Sequence, residues 1–344
     1  MTLSWDWNDE TRGRLQAFLA ERDLAAGDLR TRAIGEGHSN LTFLVSDGAN
    51  EVVVRRPPPP PVPPGGHDVL REATLLQALY GTGVPVPEVL AVAQEGDVID
   101  VPFYVMSYVE GVIATTETPA HLRTDDGRRG IAEQLVDVLV ALHSVDWRAR
   151  GLQGFGRPEG FNGRHFRRML GLVAEGDDNT PEAFKPGAEW LGANVPPEAG
   201  DAIAHMDYRL GNVMWGPEPP SRIVAVLDWE LATIGDPLLD LGNFLASYPE
   251  PGERRTPTQD LGAASTEPGY PSRAELAERY AARTGADLSD LQWYTVMSLW
   301  KLGVLYEYAR RRGEDAYYQD PSLVERFLAA AHRAAGLEPT PHVA

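Results

Sequence analysis

The sequence HMDYRLGN at residues 205–212, with an aspartate behind it at position 228, is the stretch that decides the fold. It contains a glycine and has no helical periodicity, so we expect a loop that carries Asp207 and Asn212. Asp228 follows IVAVL at 223–227, an apolar run that is typical of a short buried strand. A loop acid, a nearby amide and a second acid at a strand end are the groups that phosphoryl transfer needs.

Each of these three side chains has an expected role in that chemistry. Asp207 would orient a substrate hydroxyl and accept its proton, while Asn212 and Asp228 would offer oxygen ligands to Mg²⁺. Magnesium prefers oxygen ligands, keeps several waters and takes further ligands from nucleotide phosphates, so one amide and one carboxylate from the protein are enough. The pattern therefore predicts Asp207 as the catalytic residue and Asn212 and Asp228 as metal ligands.

Composition and charge narrow the class of protein. The chain has 344 residues, of which 43% are apolar and 24% charged, as in an ordinary globular protein with two domains or one two-lobed domain. It has no cysteine, which excludes disulfides, thiolate metal sites and thiol nucleophiles. The formal net charge of −19 argues against nucleic acid or an anionic membrane as a partner. Since the sequence shows neither a signal peptide nor a membrane span, we expect a cytoplasmic location.

The first third of the chain is expected to be rich in strands. Turn-forming residues at 47–50 join two β-prone runs, 41–45 and 51–55, and this pattern predicts a hairpin. Residues 57–64 contain seven prolines, so they are expected to form an extended connector rather than a helix or a central strand. Two more strands and two helices are predicted, the strands near 88–92 and 103–106 and the helices at 9–22 and 67–79.

The remainder of the chain is predicted to be mainly helical around one small hairpin. Apolar residues recur at helical spacing through 130–143, and the terminal His143 is expected to be a core histidine rather than a catalytic one. Two segments rich in glycine and proline, 154–164 and 249–272, are expected to be loops that border the substrate cleft.

The boundaries of the last helices are predicted by their capping residues. Three capping boxes predict helix starts at Ser272 with Glu275, Ser289 with Gln292, and Ser322 with Glu325. Three glycines predict helix ends: Gly285, Gly313 and Gly336. A strand-rich first third and a helical remainder indicate an α+β fold with two lobes.

The motif at 205–212, with LDWE at 227–230 and GDPLLDLG at 235–242, resembles the aminoglycoside phosphotransferase and choline-kinase-like superfamily. Within it, the chain is most similar to the branch that contains the kinase-like domain associated with acyl-CoA dehydrogenases. The resemblance extends from Gly35 to the helices after Ser272. It implies a protein-kinase-like fold in which a small β-rich N-lobe, residues 1–109, covers the nucleotide. Residues 110–344 would form the larger helical C-lobe, with the catalytic loop and the substrate cleft.

In the N-lobe, the resemblance implies two groups of nucleotide-binding residues. The segment ahead of the first hairpin, with Gly37, Ser39 and Asn40, would let backbone N–H groups approach the phosphates. Arg55 occupies the position of the strand-three lysine of kinases, which faces the nucleotide. Glu72, on the following helix, is its expected ion-pair partner. Arginine keeps the positive charge but presents a planar fork instead of a point charge.

Further positions are implied for the hinge and for the support of the site. Ser107 and Val109 would lie in the interlobe hinge and hold the adenine through backbone groups. His205, Asp236 and Asp240 would brace the catalytic and metal-binding loops rather than react.

The activity that the resemblance implies is an ATP- and Mg²⁺-dependent phosphotransferase that phosphorylates a hydroxyl group of a small molecule. The acceptor could be a hydroxyacyl-CoA or hydroxy acid, with Arg164, Arg167, Arg168 and Arg209 as candidate phosphate ligands. It could also be an aminoglycoside, with Glu175, Asp177 and Asp178 as candidate partners. A nucleotide-binding pseudokinase with a regulatory role is the third interpretation, supported by the arginine at position 55. The sequence indicates no oligomeric state.

Overall fold

A computed structural model describes residues 7–34, 40–58, 67–174, 180–217, 222–313 and 315–337. The chain divides into two compact units. The first contains residues 1–110 with 150–152, and the second contains residues 111–149 with 153–344. The prolines from position 59 to 64, Gly37, Ser39 and the acidic residues 175–178 lie outside the described residues.

The first unit is built on a five-stranded antiparallel sheet. Its strands are β1 (Arg30–Ala33), β2 (Leu41–Ser46), β3 (Glu51–Arg56), β4 (Val89–Ala93) and β5 (Phe103–Ser107). Their order in the sheet is β1-β2-β3-β5-β4, and β2 and β3 form the predicted hairpin. The strand β1 was not predicted, because its sequence RTRA is short and largely exposed and has no apolar alternation.

The same unit contains two helices, α1 (Asp9–Ala20) and α2 (Val69–Leu79). An apolar core joins α1 to one face of the sheet, where Phe18 meets Phe103 edge to face at 5.4 Å. The helix α2 buries Leu75, Leu76 and Leu79 and lies near β4 and β5. Its start is capped by Asp68, whose side chain accepts a hydrogen bond from the N–H of Arg71.

The second unit is mainly helical. Its helices are α3 (Asp125–His143), α4 (Phe161–Val173), α5 (Lys185–Ala193), α6 (Pro237–Ser247), α7 (Pro257–Asp260), α8 (Arg273–Thr284), α9 (Leu291–Arg312) and α10 (Pro321–Ala334). The long helix α9 packs against α4, α5, α6 and α10, and this position explains why so many of its residues are buried. Helices α6 and α9 approach closely at Gly242, where a Cβ atom would lie 2.7 Å from the Tyr294 backbone carbon.

Two small antiparallel sheets in this unit carry the predicted motif. Strand β6 (Ala202–Ala204) pairs with β9 (Thr233–Gly235), and β7 (Val213–Trp215) pairs with β8 (Ile223–Val226). The chain leaves β6 into the segment 205–212 and leaves β8 just before Asp228. The predicted strand–loop–strand context of the motif is therefore confirmed.

Some predicted boundaries are wrong. The helix α3 begins at Asp125, capped by Thr124, and so precedes the apolar pattern by a full turn. The predicted loop 154–164 ends in the first turn of α4, and the loop 249–272 contains the short helix α7.

Of the three capping boxes, one is present. Ser272 and Glu275 exchange both hydrogen bonds, whereas α9 starts after Asp290 and α10 after Asp320. The Asp320 carboxylate takes the N–H of Ser322 and so displaces the predicted serine cap. At the other ends, Gly285, Gly313 and Gly336 all adopt positive φ, as a helix stop requires.

Within the described parts of the chain, no helix has the length and apolar character that crossing a membrane requires.

Candidate active site

The loop that follows β6 is held by the side chain of His205, which is fully buried. Its Nε2 lies 2.8 Å from the Leu227 carbonyl oxygen, and its Nδ1 lies 3.3 Å from the backbone nitrogen of Asp207. Because a carbonyl oxygen only accepts, the proton must be on Nε2, and Nδ1 is then free to accept the Asp207 N–H. One imidazole thus joins the loop to the end of β8.

The next residue, Met206, has a left-handed backbone with φ of 69°, which is uncommon for a residue with a side chain. Asp240 holds this turn with both of its oxygens. Oδ1 accepts the Met206 N–H at 2.7 Å, and Oδ2 accepts the His205 N–H at 2.6 Å. This fixed turn sets the direction in which the following Asp207 leaves the backbone.

Asp207 and Asn212 face each other across the loop. The Asn212 amide nitrogen donates to the Asp207 backbone oxygen and to its Oδ2, both at 2.8 Å. Arg209 Nε reaches the same Oδ2 at 3.3 Å. Among the described residues both side-chain contacts of Asp207 fall on Oδ2, so Oδ1 is left for an acceptor hydroxyl. The Asp207 side chain is 24% exposed, which gives a small molecule access to it.

The same contacts determine which way the Asn212 amide points. Both of its partners are acceptors, so the nitrogen must face Asp207 and the side-chain oxygen must face away from it. The Asn212 backbone oxygen also accepts the N–H of Leu227 at 2.8 Å, which places Asn212 beside the residue that precedes Asp228. This backbone bond places Asn212 near the segment that carries Asp228, and an amide oxygen and a carboxylate are ligands that suit Mg²⁺.

Asp228 itself has a left-handed backbone, with φ of 64°. Aspartate tolerates this conformation better than most residues. No three His, Asp or Glu side chains within the described ranges are grouped so that they could hold a metal by themselves. A cation bound by Asn212 and Asp228 would thus take its other ligands from water and phosphate.

The braces predicted around this loop are buried and hydrogen-bonded. Asp236 caps α6, and its Oδ2 accepts hydrogen bonds from Tyr294 Oη at 2.7 Å and Asn162 Nδ2 at 2.8 Å. Asp240, in the first turn of α6, also contacts His143 Nε2 at 3.3 Å. Burial raises the pKa of Asp240, but the hydrogen bonds from the His143 side chain and from the His205 N–H help to outweigh burial, and the pKa lies below its usual value. The His143 Nδ1 lies 2.7 Å from Tyr280 Oη, as a satisfied core histidine requires.

Lys301, on α9, is a neighbour of the loop that the sequence did not indicate as a site residue. It is 6% exposed, and its Nζ donates to the Met206 carbonyl at 3.0 Å and to Asn243 Oδ1 at 3.3 Å. One feature of the sequence could have indicated Lys301, because only two of the 31 basic residues are lysines. A lysine retained inside an apolar helix of an arginine-rich chain is unusual.

In the first unit, Arg55 and Glu72 form the predicted ion pair. Arg55 Nε lies 2.9 Å from Glu72 Oε2, and its Nη1 donates to Thr42 Oγ1 at 3.1 Å. The pair is largely shielded from solvent, with side-chain exposures of 14% and 3%. The neighbouring Arg56 points to the other face, near the rings of Trp7 and Phe43, as strand alternation requires.

The other predicted nucleotide-binding residues of this unit can be placed only in part. Asn40 is buried and its Oδ1 lies 3.1 Å from His67 Nδ1, while Gly37 and Ser39 lie outside the described residues. Ser107 ends β5, and its N–H is taken by the Glu88 carbonyl at 2.9 Å. The Ser107 N–H is therefore already used within the sheet, whereas Val109 lies beyond the strand.

Comparison with known proteins shows the family to which the chain belongs. Residues 30–294 match the family model of the phosphotransferase enzyme family. Acyl-CoA dehydrogenase family member 11 from Homo sapiens is 32% identical over 291 residues, which are 84% of this chain and 36% of that protein. Family member 10 from Mus musculus is 27% identical over 293 residues, 84% of this chain and 27% of that protein. The chain thus spans about a third of the length of these relatives.

Solved structures show that the similarity includes the fold. A candidate aminoglycoside phosphotransferase from Ralstonia eutropha JMP134 has a TM-score of 0.74 and 27% identity, over 93% of this chain and 98% of that one. A thermostable mutant of aminoglycoside phosphotransferase APH(4)-Ia, in a ternary complex with AMP-PNP and hygromycin B, has a TM-score of 0.60 at 17% identity, with the same coverage. The predicted α+β, protein-kinase-like fold with a small β-rich lobe and a larger helical lobe is confirmed. With most of its length matched by the family model, the chain belongs to the phosphotransferase enzyme family.

Proposed function

We propose that this protein is an ATP- and Mg²⁺-dependent small-molecule kinase with an alcohol group as acceptor. The observation that carries the proposal is the pairing of Asp207 with Asn212 beside Asp228, in a loop whose backbone is held by His205 and Asp240. Structural relatives in complex with AMP-PNP and hygromycin B, or with GDP and kanamycin, support nucleotide and small-molecule binding in this family.

In the proposed reaction Asp207 acts on the acceptor. Its carboxylate orients the hydroxyl and takes the proton as the acceptor oxygen bonds to the γ-phosphorus of ATP, and the bond from that phosphorus to the β–γ bridging oxygen breaks to release ADP. Asn212 and Asp228 are the proposed ligands of Mg²⁺, which when bound neutralises charge on the phosphates. Catalysis then rests on position and electrostatics rather than on a covalent intermediate.

The nucleotide is proposed to be covered by an N-lobe of residues 1–109, with the catalytic loop in a C-lobe of residues 110–344. In this scheme Arg55 binds nucleotide phosphate, and Glu72 holds its guanidinium in place. Asn40, Gly37 and Ser39 supply the segment beside the phosphates, and backbone groups of Ser107 and Val109 hold the adenine.

For the acceptor we propose a hydroxyacyl-CoA or a related hydroxy acid. Helix α4 supports an anionic acceptor, because Arg164, Arg167 and Arg168 lie on one side of it at helical spacing. Arg164 donates to the backbone oxygen of Arg157. Within the described ranges no carboxylate pairs with Arg167 or Arg168, although the protein as a whole is strongly acidic. The relatives named acyl-CoA dehydrogenase family members support the same class.

The test is a screen for ADP formation from Mg-ATP with hydroxyacyl-CoA esters, free hydroxy acids, aminoglycosides and amino alcohols. We expect turnover with a hydroxyacyl thioester. When Arg167 and Arg168 are both changed to Gln, we expect KM for the acceptor to rise and kcat to change little. Turnover with aminoglycosides alone would favour an antibiotic kinase. Mg-ATP binding without transfer to any acceptor would favour a pseudokinase.

A further inference from the structure

We propose that Lys301 is a positioning residue of the phosphoryl-transfer site, which fixes the peptide group that carries Asp207. The inference rests on the proposed function, in which Asp207 acts on the acceptor hydroxyl. Lys301 lies about one hundred positions away from the loop along the chain, on α9, and belongs to no motif of the sequence.

The first argument is the position of its hydrogen bonds. The peptide group between Met206 and Asp207 has a carbonyl and an N–H on opposite sides. Lys301 Nζ donates to that carbonyl at 3.0 Å, and His205 Nδ1 accepts that N–H at 3.3 Å. Both sides of this peptide plane are thereby held, so the plane cannot rotate unless one of the two contacts breaks.

The second argument is the strain of the turn. Met206 has a left-handed backbone with φ of 69°, a conformation that persists in a residue with a side chain only where the surroundings hold it. Asp240 Oδ1 accepts the N–H of Met206, and Lys301 Nζ donates to the carbonyl of Met206. Without Lys301, the Met206 carbonyl would lose this hydrogen bond, and the peptide group before Asp207 would be held on one side only.

The third argument is charge. Burial lowers the pKa of the Lys301 ammonium, and the charges of Asp207 and Asp240 oppose that effect. A buried ammonium without compensation is costly, so its retention here is explained by these two acids. Its second contact, to Asn243 Oδ1 on α6 at 3.3 Å, joins α6, α9 and the loop at one atom.

The experiment compares Lys301→Met, Lys301→Arg and Lys185→Met in the full chain. Lys185, on α5, is the matched control because it is the other lysine and pairs with Glu182 at the surface. We measure amide hydrogen exchange of residues 202–213, with helix α8 as the internal reference. We also measure kcat and KM with Mg-ATP and the acceptor that the screen identifies.

In Lys301→Met we expect exchange at Met206 and Asp207 to become faster by about tenfold or more, with α8 unchanged. We expect kcat to fall by roughly 10- to 100-fold, with KM for ATP within about twofold of wild type, because a small displacement of a reacting group costs rate rather than binding. Lys301→Arg should give intermediate values of both, because it keeps the charge but not the geometry of the ammonium. Lys185→Met should match wild type.

Unchanged exchange at Met206 and Asp207 in a folded Lys301→Met, or a kcat equal to that of Lys185→Met, would overturn the proposal. If Lys301→Met does not fold, Lys301→Arg decides, and wild-type exchange together with wild-type kcat would overturn it. If wild type transfers phosphate to no acceptor, the proposed function fails, and the exchange measurement still decides whether Lys301 positions the loop.

Discussion

At the residue scale, Asp207 is the side chain on which the proposed chemistry depends. We expect Asp207→Asn to lose about 10²–10⁴-fold in turnover, the usual contribution of a general base. ATP affinity should change little, because Asp207 acts on the acceptor. The control is Asp201→Asn, which lies just before β6 and pairs with Arg148 at the surface. Near-wild-type turnover in Asp207→Asn, measured with the true acceptor, would show that the catalytic assignment is wrong.

Asp228 allows charge and backbone conformation to be tested separately. Asp228→Ala and Asp228→Asn should both lose Mg²⁺-dependent nucleotide binding, since each removes the anionic ligand. Alanine should in addition destabilise the fold by roughly 1 kcal/mol, because asparagine accepts the left-handed backbone of φ 64° and alanine does not. Calorimetric titration with and without Mg²⁺ measures the first effect, and urea unfolding measures the second. Unchanged Mg-ATP affinity in both variants would place the metal elsewhere.

The spacing of the motif was sufficient to predict that Asp207 and Asn212 share a loop and that Asp228 follows a short strand, because these residues are close in the chain. Lys301 was not predictable in the same way. Its contact with Met206 arises where α9 packs beside the loop, and that packing depends on the whole helical unit. A residue that acts across so long a separation leaves no local pattern in the sequence.

At the scale of elements, β3 and α2 present Arg55 and Glu72 to each other, as the resemblance to kinases implied. We expect Arg55→Ala to weaken the binding of ATP much more than the binding of adenosine. Charge-assisted hydrogen bonds contribute roughly 1.5–3 kcal/mol, or about one to two powers of ten in affinity. Glu72→Ala should have a smaller effect, and the double variant should be less than additive, since the two residues act as one unit.

The control for Arg55 is Arg32→Ala on the exposed β1. Arg56 would be unsuitable, because it is buried near Trp7 and Phe43 and its truncation removes packing from the core. Equal losses of ATP and adenosine affinity in Arg55→Ala, measured by calorimetry, would indicate general damage to the sheet.

The elements that the sequence predicted least well are those whose ends depend on competition between caps. Ser289 and Ser322 fit a capping pattern, yet Asp290 and Asp320 define the starts of α9 and α10. The Asp320 carboxylate accepts the orphan N–H of Ser322, whereas the Asp290 side chain makes no capping hydrogen bond, so the two helix starts differ in kind. Strand β1 was missed because it is exposed and is stabilised by pairing with β2 rather than by an apolar face.

At the scale of the whole molecule, His165, whose ring Nε2 is buried, should make stability depend on pH. Burial, assisted by the charges of Lys301 and Arg168, lowers the pKa of His165 from 6.5 to about 3. The unfolded chain takes up this proton below pH 6.5 and the folded chain does not. The contribution of His165 to the free energy of unfolding is therefore complete above pH 6.5. It is lost as the pH falls toward 3, by at most about 1.4 kcal/mol per pH unit.

We expect His165→Phe to flatten the pH dependence of urea unfolding between about pH 6.5 and about pH 4. Phenylalanine keeps the stacking with Phe161 and removes Nε2, which is buried without a hydrogen-bond partner among the described residues. The variant should therefore be more stable than wild type at the acid end. Parallel curves for the two proteins would mean that His165 does not supply the dependence.

The two lysines have a practical consequence of another kind. Lys185 is exposed at the surface of α5, whereas Lys301 is buried. Near neutral pH, amine-reactive reagents should therefore modify the native protein at one lysine side chain and at its α-amino group. Apart from the α-amino group, a fluorophore or a solid support would thus be attached at a single lysine side chain, on the helical unit, without introducing a cysteine. Because Lys185 pairs only with the neighbouring Glu182 among the described residues, such attachment should leave the catalytic loop intact.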